Sequence, residues 1–226
     1  MITAASNSRI KRLVQLNQKS KLRRTEDVFL AEGVKMFLEA PREQLQEVYV
    51  SESFLEKCSC REHLGEVGYE VVSDSVFSKI SDTCTPQGVL CVLKQFHYNI
   101  EEMLRDKAPL FLLLENIQDP GNLGTMLRTG EGAGVSGIIM SRDTVDLYNP
   151  KVIRSTMGSI YRVPFYYADD FAAAVHQVQQ AGVSVYAAHL RGKNSYACQD
   201  YTKGTAFLIG NEGNGRGKRL QSLRTV

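Results

Sequence analysis

Residues 110–130 read Leu110-Phe-Leu-Leu-Leu-Glu-Asn-Ile-Gln-Asp-Pro-Gly-Asn-Leu-Gly-Thr-Met-Leu-Arg-Thr-Gly130. The apolar run 110–114 is typical of a strand buried on both faces, and the stretch 123–131 has helical character. A strand that passes through a polar turn into a helix presents its polar groups at the carboxyl edge of a sheet, where α/β proteins bind ligands. We expect Asn122 to start this helix, and Arg128 to project near the same mouth if the helix begins late. Taken alone, Asn122 is equally consistent with a simple helix cap and Arg128 with a solvated arginine.

Four further apolar runs follow along the chain, at residues 137–140, 163–167, 183–188 and 206–209. Such short, uninterrupted runs suit strands that are buried on both faces. The stretch 169–182 predicts a helix, with an aspartate to cap its start and a glycine to stop it. Residues 109–226 therefore predict an α/β domain built on a mostly parallel sheet, preceded by a short linker helix at 97–108.

Residues 1–96 predict a separate, smaller α/β domain. Apolar residues at helical spacing occur in 7–18 and again in 34–38, before Pro41. Strands are expected at residues 47–50, 69–72 and 89–93, the last of them after the turn signal Thr85-Pro-Gln-Gly88. The predicted division of the chain is thus 1–96, 97–108 and 109–226.

Positive charge is concentrated at the start of the chain, although the protein as a whole has a net charge of only +2. Residues 25–108 hold 8 bases against 16 acids, and residues 109–226 hold 12 bases against 9 acids. Residues 1–24, in contrast, hold bases and no acid: Arg9, Lys11, Arg12, Lys19, Lys21, Arg23 and Arg24. Such a basic arm supplies the phosphate attraction that nucleic-acid binding needs, and on charge alone a solvated helix face explains it equally well.

The composition excludes several classes of protein. Hydrophobic residues make up 43% of the 226 residues and charged residues 23%, which is ordinary for a soluble globular protein. The longest apolar run, 110–114, is far shorter than the roughly 20 residues that cross a bilayer, and no apolar segment near Met1 reads as a secretory signal. We therefore expect a cytoplasmic protein. The cysteines are odd in number and lack the spacing of a metal or redox pair, so we expect reduced thiols and no metal site: Cys58, Cys60, Cys84, Cys91 and Cys198.

Two glycine-rich segments resemble nucleotide-binding motifs only superficially. Gly132-Ala-Gly-Val-Ser-Gly137 fits the dinucleotide fingerprint, but it follows a predicted helix and precedes a predicted strand, the reverse of the required order. Gly213-Asn-Gly-Arg-Gly-Lys218 evokes a phosphate loop, yet Glu212 stands where that pattern needs glycine, and Arg219 where it needs Ser or Thr. We expect neither site.

Five motifs spread over nearly the whole chain resemble one known family. Residues 115–130 and Thr205-Ala-Phe-Leu-Ile-Gly-Asn-Glu-Gly213 resemble the first two motifs of the SpoU, or TrmH-like, methyltransferases. Asn7-Ser-Arg-Ile-Lys11, Phe29-Leu-Ala-Glu-Gly33 and Ser81-Asp-Thr-Cys-Thr-Pro-Gln-Gly88 resemble the substrate-binding domain of members that modify rRNA. The resemblance implies transfer of a methyl group from S-adenosylmethionine to a ribose 2′-hydroxyl of RNA, with rRNA favoured over tRNA. It also makes RNA the expected partner of the seven bases of the arm.

The resemblance further implies a fold and a set of site residues. The second domain would be an α/β knot (SPOUT-type), in which the C-terminal segment threads through a loop and forms the cofactor pocket, and the protein would be a homodimer. The residues implied to be catalytic are Asn122, Arg128 and Glu212. Those implied to contact the cofactor are Leu208, Ile209 and Gly210, largely through backbone, together with Ala188 and His189 in the loop after the strand 183–188.

Arg128 occupies the position of the family's proposed base, which conflicts with the chemistry of arginine. A guanidinium is effectively always protonated in proteins and cannot accept the hydroxyl proton. We therefore expect Arg128 to clamp an RNA phosphate, with proton removal by a phosphate oxygen or by water.

The end of the sequence departs from the family pattern. After Gly215 the chain reads Arg-Gly-Lys-Arg-Leu-Gln-Ser-Leu-Arg-Thr-Val226, where the family continues into a third motif rich in Ser, Leu and Asn. We therefore expect an incomplete knot in this sequence, as a truncation or a frameshift would produce. A catalytically silent RNA-binding protein is the alternative that this departure favours, and a nicotinamide-dependent enzyme is a third reading that rests on residues 132–137 alone.

Overall fold

The structure is a computed structural model that describes residues 1–58, 60–187 and 195–210. Its helices are α1 Ser8–Gln18, α2 Ser20–Glu26, α3 Val34–Leu38, α4 Glu52–Lys57, α5 Arg61–Val67, α6 Asp74–Ile80, α7 Ile100–Met103, α8 Pro120–Ala133, α9 Pro150–Thr156 and α10 Phe171–Gln180. Its strands are β1 Val28–Glu32, β2 Leu45–Ser51, β3 Glu70–Val72, β4 Val89–Lys94, β5 Leu110–Glu115, β6 Gly137–Ser141, β7 Phe165–Ala168, β8 Ser184–Ala187 and β9 Thr205–Gly210. Short 3₁₀ turns lie at Ser159–Tyr161 and Tyr196–Cys198.

The chain folds into two compact units that differ in two places from the predicted division. The first unit comprises the described residues of 1–96 and 146–161, and the second comprises 97–145 and the described residues from Arg162 onward. Helix α7, which was predicted as a linker, belongs to the second unit because Ile100 and Met103 are buried in its core. The segment 146–161 belongs to the first unit, where the Tyr161 hydroxyl donates to the Met36 carbonyl at 3.0 Å.

The first unit is built on a mixed sheet in the order β1-β4-β2-β3. Strand β4 runs antiparallel to both of its neighbours, whereas β2 and β3 are parallel. The predicted basic helix is confirmed as α1: the Asn7 side chain caps it by accepting from the Arg9 N–H at 2.9 Å. Ile10, Leu13 and Leu16 bury its apolar side in the core of this unit, which leaves most of its polar residues on the solvent side.

The second unit confirms the predicted parallel sheet. Its strand order is β7-β6-β5-β9-β8, and every neighbouring pair is parallel. Phe111 and Leu113 of β5 face a core that α10 covers through Val175 and Val178. Helix α10 is capped as expected by an aspartate, since Asp170 accepts from the Ala173 N–H at 3.0 Å.

The segment 132–137 runs from the end of α8 to the first residue of β6, the order that its position in the sequence predicts. Gly134 is the C-cap of α8 with φ of +72°, a conformation that favours glycine. Gly137 opens β6, where an added Cβ would come within 2.1 Å of the Met103 methyl group. These glycines therefore serve chain reversal and close packing, and the reading as a nicotinamide enzyme loses its only support.

Two further expectations concern membranes and the knot. Within the described ranges, no helix has the length and apolar character needed to cross a membrane. The residues that would form the knot include 188–194 and 211–226, which lie outside the described residues.

Candidate functional site

The arrangement of strands defines where the second unit would bind a ligand. Strand β5 is central: the next strand along the chain, β6, lies on one side of it, and β9 lies on the other. Chain connections therefore diverge at β5, and such a switch point opens a crevice at the carboxyl ends of the strands. Glu115, the last residue of β5, pairs in register with Gly210, the last residue of β9. Two of the motif segments thus meet at this edge.

Helix α8 begins earlier than the sequence predicts, which corrects the role expected for Asn122. The cap is Asp119, whose Oδ1 accepts from the Asn122 N–H at 2.7 Å, and Pro120 occupies the first turn. A proline there costs nothing because the first N–H groups of a helix have no intrahelical acceptor. Asn122 is consequently the third residue of α8, and its side chain is exposed rather than used as the cap.

This start also corrects the expected geometry of Arg128. Six residues of regular helix separate two side chains by about 9 Å along the axis and by about 120° around it. Asn122 and Arg128 therefore lie on different faces of α8, and the late start that was expected to bring them together is not observed. Arg128 is exposed, and its guanidinium has no hydrogen bond or ion pair within the described residues. It is available to an external anion.

Glu115 places a carboxylate at the carboxyl edge of β5. By the alternation of the strand it shares the sheet face of Phe111 and Leu113, as Gly210 shares that of Leu208. Partial burial raises the pKa of the Glu115 carboxyl, and the negative charge of Asp143 raises it further. Burial and the neighbouring negative charge therefore both disfavour the charged form of Glu115.

The described residues that were implied to contact the cofactor differ in how open they are to a ligand. Leu208 is 3% exposed, packs in the core and pairs with both Leu113 and Ala187, so neither its side chain nor its strand position is open to a ligand. Strand β8 ends at Ala187, so Ile209 and Gly210 continue beyond it and have no strand partner on that side within the described residues. Ala188, His189 and Glu212 lie outside those residues.

The donor set at this edge fits S-adenosylmethionine. A cofactor with an apolar purine and polar ends needs backbone groups, small or apolar neighbours and a few polar groups that fix its orientation. Ile209 and Gly210 supply half-buried backbone without a bulky polar side chain, and Glu115 supplies the carboxyl group. Within the described ranges, no group of three or more His, Cys, Asp or Glu side chains could hold a metal ion.

Comparison with known proteins assigns the second unit. The family model described as the SpoU rRNA methylase family matches residues 109–224, and a model described as an MRM3-like substrate binding domain matches residues 7–91. The chain belongs to the SpoU rRNA methylase family. It is 31% identical to the Bacillus subtilis protein named 23S rRNA (guanosine(2553)-2′-O)-methyltransferase RlmP, across 95% of this chain and 83% of that one.

Other members of the family are similar over different lengths. The human protein named rRNA methyltransferase 3, mitochondrial, is 41% identical over 37% of this chain, which spans only 21% of that relative. A crystal structure described as an AdoMet-bound rRNA methyltransferase from Sinorhizobium meliloti is similar with a TM-score of 0.81 and 28% identity, covering 98% of this chain and 84% of that one. The AviRb SpoU methyltransferase of Streptomyces viridochromogenes has a TM-score of 0.84 at 22% identity, over 96% of this chain and 86% of that one, which shows a shared fold.

In this SpoU family member the seven bases of the arm divide into two groups. Arg9 pairs with Glu70 at 2.8 Å, and Arg12 pairs with Glu26 and Glu47, each at 2.7 Å. Arg23 is 3% exposed and donates to the Leu16 carbonyl and to Asp146, both at 2.6 Å. The expectation that Arg23 contacts RNA is therefore wrong, because its guanidinium is buried and is already bonded to groups of the protein. The other group is exposed and makes no ion pair within the described residues: Lys11, Lys19, Lys21 and Arg24.

Sequence reasoning missed polar residues at the end of β6 that support the motif loop. Ser141 and Thr144 are buried, and their hydroxyl groups bond the backbone of residues 116 and 117. The signal was present in the sequence, since Ser141-Arg-Asp-Thr144 follows an apolar strand just as residues 115–122 do. Glu115 was likewise not predicted to have a role, although it opens the first motif.

Proposed function

We propose that this chain transfers a methyl group from S-adenosylmethionine to a ribose 2′-hydroxyl of ribosomal RNA. The observation that carries the proposal is the family match over residues 109–224. The structure adds that β5 leads, at the carboxyl edge of the sheet, into the helix α8 that bears Asn122 and Arg128. The relative named as a 2′-O-methyltransferase of 23S rRNA supports the choice of reaction and of RNA class.

The chain's part in the reaction is positioning, because methyl transfer needs two aligned reactants and removal of one proton. The cofactor supplies an electrophilic methyl group on a sulfonium. Ile209 and Gly210, at the end of β9, would hold it through backbone groups. Asn122 orients the ribose, and the family motif assigns a catalytic role to Glu212, which lies outside the described residues. Arg128 clamps a phosphate with two parallel N–H donors, while the hydroxyl proton passes to a phosphate oxygen or to water.

The test is methyl incorporation from labelled S-adenosylmethionine into rRNA that lacks its natural modifications. A 2′-O-methyl group removes the nucleophile of alkaline RNA cleavage, so the product should show one linkage that resists alkali. Label in a base, or no label at all, would contradict the proposal. RNA binding without transfer would instead support a catalytically silent RNA-binding protein.

RNA recognition by the first unit is part of the same proposal. We assign the phosphate contacts to the exposed bases of α1, α2 and their junction that make no ion pair within the described residues: Lys11, Lys19, Lys21 and Arg24. Lys21 and Arg24 are three residues apart on α2 and so lie on one side of it. The match of residues 7–91 to a substrate-binding domain supports this assignment.

Assembly and location complete the proposal. We propose a homodimer, which light scattering at micromolar concentration would test: a monomer mass throughout the range would contradict it. Location in the cytoplasm stays a prediction from the sequence.

A further inference from the structure

Two hydroxyl groups at the carboxyl end of β6 hold the loop that leads from β5 into α8. Ser141, the last residue of β6, accepts a hydrogen bond from the backbone N–H of Asn116 at 2.9 Å. The Thr144 hydroxyl lies 3.3 Å from the Ser141 hydroxyl and 3.4 Å from the Ile117 nitrogen. Ser141 is 7% exposed and Thr144 is 5% exposed, so water cannot readily replace either group. The loop thus takes its support from the neighbouring strand.

The loop needs such support because it starts in a disfavoured conformation. Asn116 has φ of +55°, in the left-handed region that asparagine tolerates better than most residues but does not prefer. The backbone of Val145 donates to the Ile117 carbonyl at 2.8 Å, so the loop is held through its acceptors as well as its donors. The Gln118 side chain adds a bond to Asn116 Oδ1 at 2.7 Å.

The conformation of this loop sets where α8 begins. Asp119, three residues after Asn116, caps the helix through the Asn122 N–H, and its carbonyl accepts from Leu123 at 3.1 Å. A shift at Asn116 therefore moves the first turn of α8 and the polar side chains that the helix carries.

We propose that Ser141, supported by Thr144, is a positioning residue for methyl transfer. Its hydroxyl fixes the loop 116–119 so that α8 presents Asn122 and Arg128 to the RNA. This inference rests on the proposed function. Ser141 touches neither reactant in this scheme, so its loss should lower the rate of the aligned reaction and leave the binding of each reactant nearly unchanged.

The kinetic test compares Ser141→Ala with a control in the same sheet. Thr205 is also buried, at 2% exposure, and its hydroxyl donates to the Lys203 carbonyl at 2.8 Å, but it lies at the opposite, amino end of β9. Since a misplacement of about 1 Å can cost up to about a hundredfold in rate, we expect Ser141→Ala to lower kcat about tenfold and Thr205→Val to change it less than about twofold. The Kd for S-adenosylmethionine and the KM for RNA should stay within about twofold in both variants.

Amide hydrogen exchange gives a second readout that does not depend on turnover. Ser141→Ala should accelerate exchange at Asn116, while Leu127 in the middle of α8 stays protected. Ser141→Thr, which keeps a hydroxyl, should restore both the protection and most of kcat.

The outcomes separate this role from the proposed function. Full kcat in Ser141→Ala, or an equal loss in Thr205→Val, would overturn the positioning role while leaving the methyltransferase intact. Loss of RNA or cofactor binding in Ser141→Ala would also overturn it. A wild-type chain that binds RNA but transfers no methyl group would refute the proposed function, and this role with it.

Discussion

Helix α1 and helix α8 both carry arginines that look equivalent in the sequence, yet the structure uses them differently. Arg9 and Arg12 of α1 already pair with carboxylates, and Arg23 of the following helix, α2, is buried against Asp146. Arg128 of α8 is exposed and has no such partner within the described residues. Charge density alone therefore does not identify the cations that meet RNA. We expect the cations that meet RNA to be those for which the fold has not supplied a counter-charge.

The largest effect should come from removing the buried cation. Arg23→Met should lower the free energy of unfolding by about 3 kcal/mol, because Asp146 and the Leu16 carbonyl lose a buried donor. Arg24→Met on the same helix is the control, and as an exposed change it should stay within about 0.5 kcal/mol. Urea denaturation followed by circular dichroism measures both. Equal stability of the two variants would mean that Arg23 is not a structural cation.

The next effect should appear in turnover and not in stability. Arg128→Lys should lower kcat by about tenfold or more, since lysine cannot make two parallel hydrogen bonds to a phosphate. Arg105→Lys, an exposed change in the same unit, should leave kcat unaltered. Methyl incorporation under single-turnover conditions measures this. Full turnover in Arg128→Lys would show that no bidentate clamp operates.

A smaller effect should distinguish two bases on α1 itself. Lys11→Gln should reduce the slope of log affinity against log salt by about one, as expected when one phosphate contact is lost. Arg9→Gln should reduce it by less, because Arg9 already engages Glu70. Fluorescence anisotropy with labelled rRNA fragments over a series of salt concentrations gives both slopes. Identical slopes would remove the distinction between paired and unpaired bases.

The smallest effect concerns Glu115 and has a defined pH dependence. Burial raises the pKa of this carboxyl, and Asp143 adds to the shift. Its protonated form is thus favoured in the fold, so its contribution to stability is present at low pH and is lost as pH rises through the folded pKa. Glu115→Gln should therefore raise Tm near neutral pH, with a difference that vanishes below about pH 4. A difference that grew on acidification would contradict this sign.

Much of the fold could be predicted from the sequence because its signals are local. Short apolar runs marked the strands of the parallel sheet, apolar spacing marked α1, and an aspartate marked the start of α10. Weaker signals were missed: β1 and α2 were not assigned, although Val28 and Phe29 are buried in the sheet of the first unit. The start of α8 was placed three residues late because Asp119 and Asn122 are both good caps, and only backbone geometry chooses between them.

The candidate site was predictable as a set of motif residues but not as an arrangement. The sequence led us to expect Asn122 and Arg128 near the same mouth of the site, whereas the observed start of α8 puts them on different faces of the helix. Leu208 was expected to help hold the cofactor, yet it lies in the core between two paired strands. The support from Ser141 and Thr144 was not foreseen, because it connects segments that are 25 and 27 residues apart.

The sequence by itself determined the α/β class, the parallel sheet and the family, since periodicity, caps and motifs are written along the chain. Only the tertiary structure decided which cations form ion pairs, which unit contains the segment 146–161, and which hydroxyl groups bond the loop before α8. Those outcomes depend on contacts between residues that are distant in the chain, such as Arg23 and Asp146. The local sequence around each residue does not indicate which of these contacts will form.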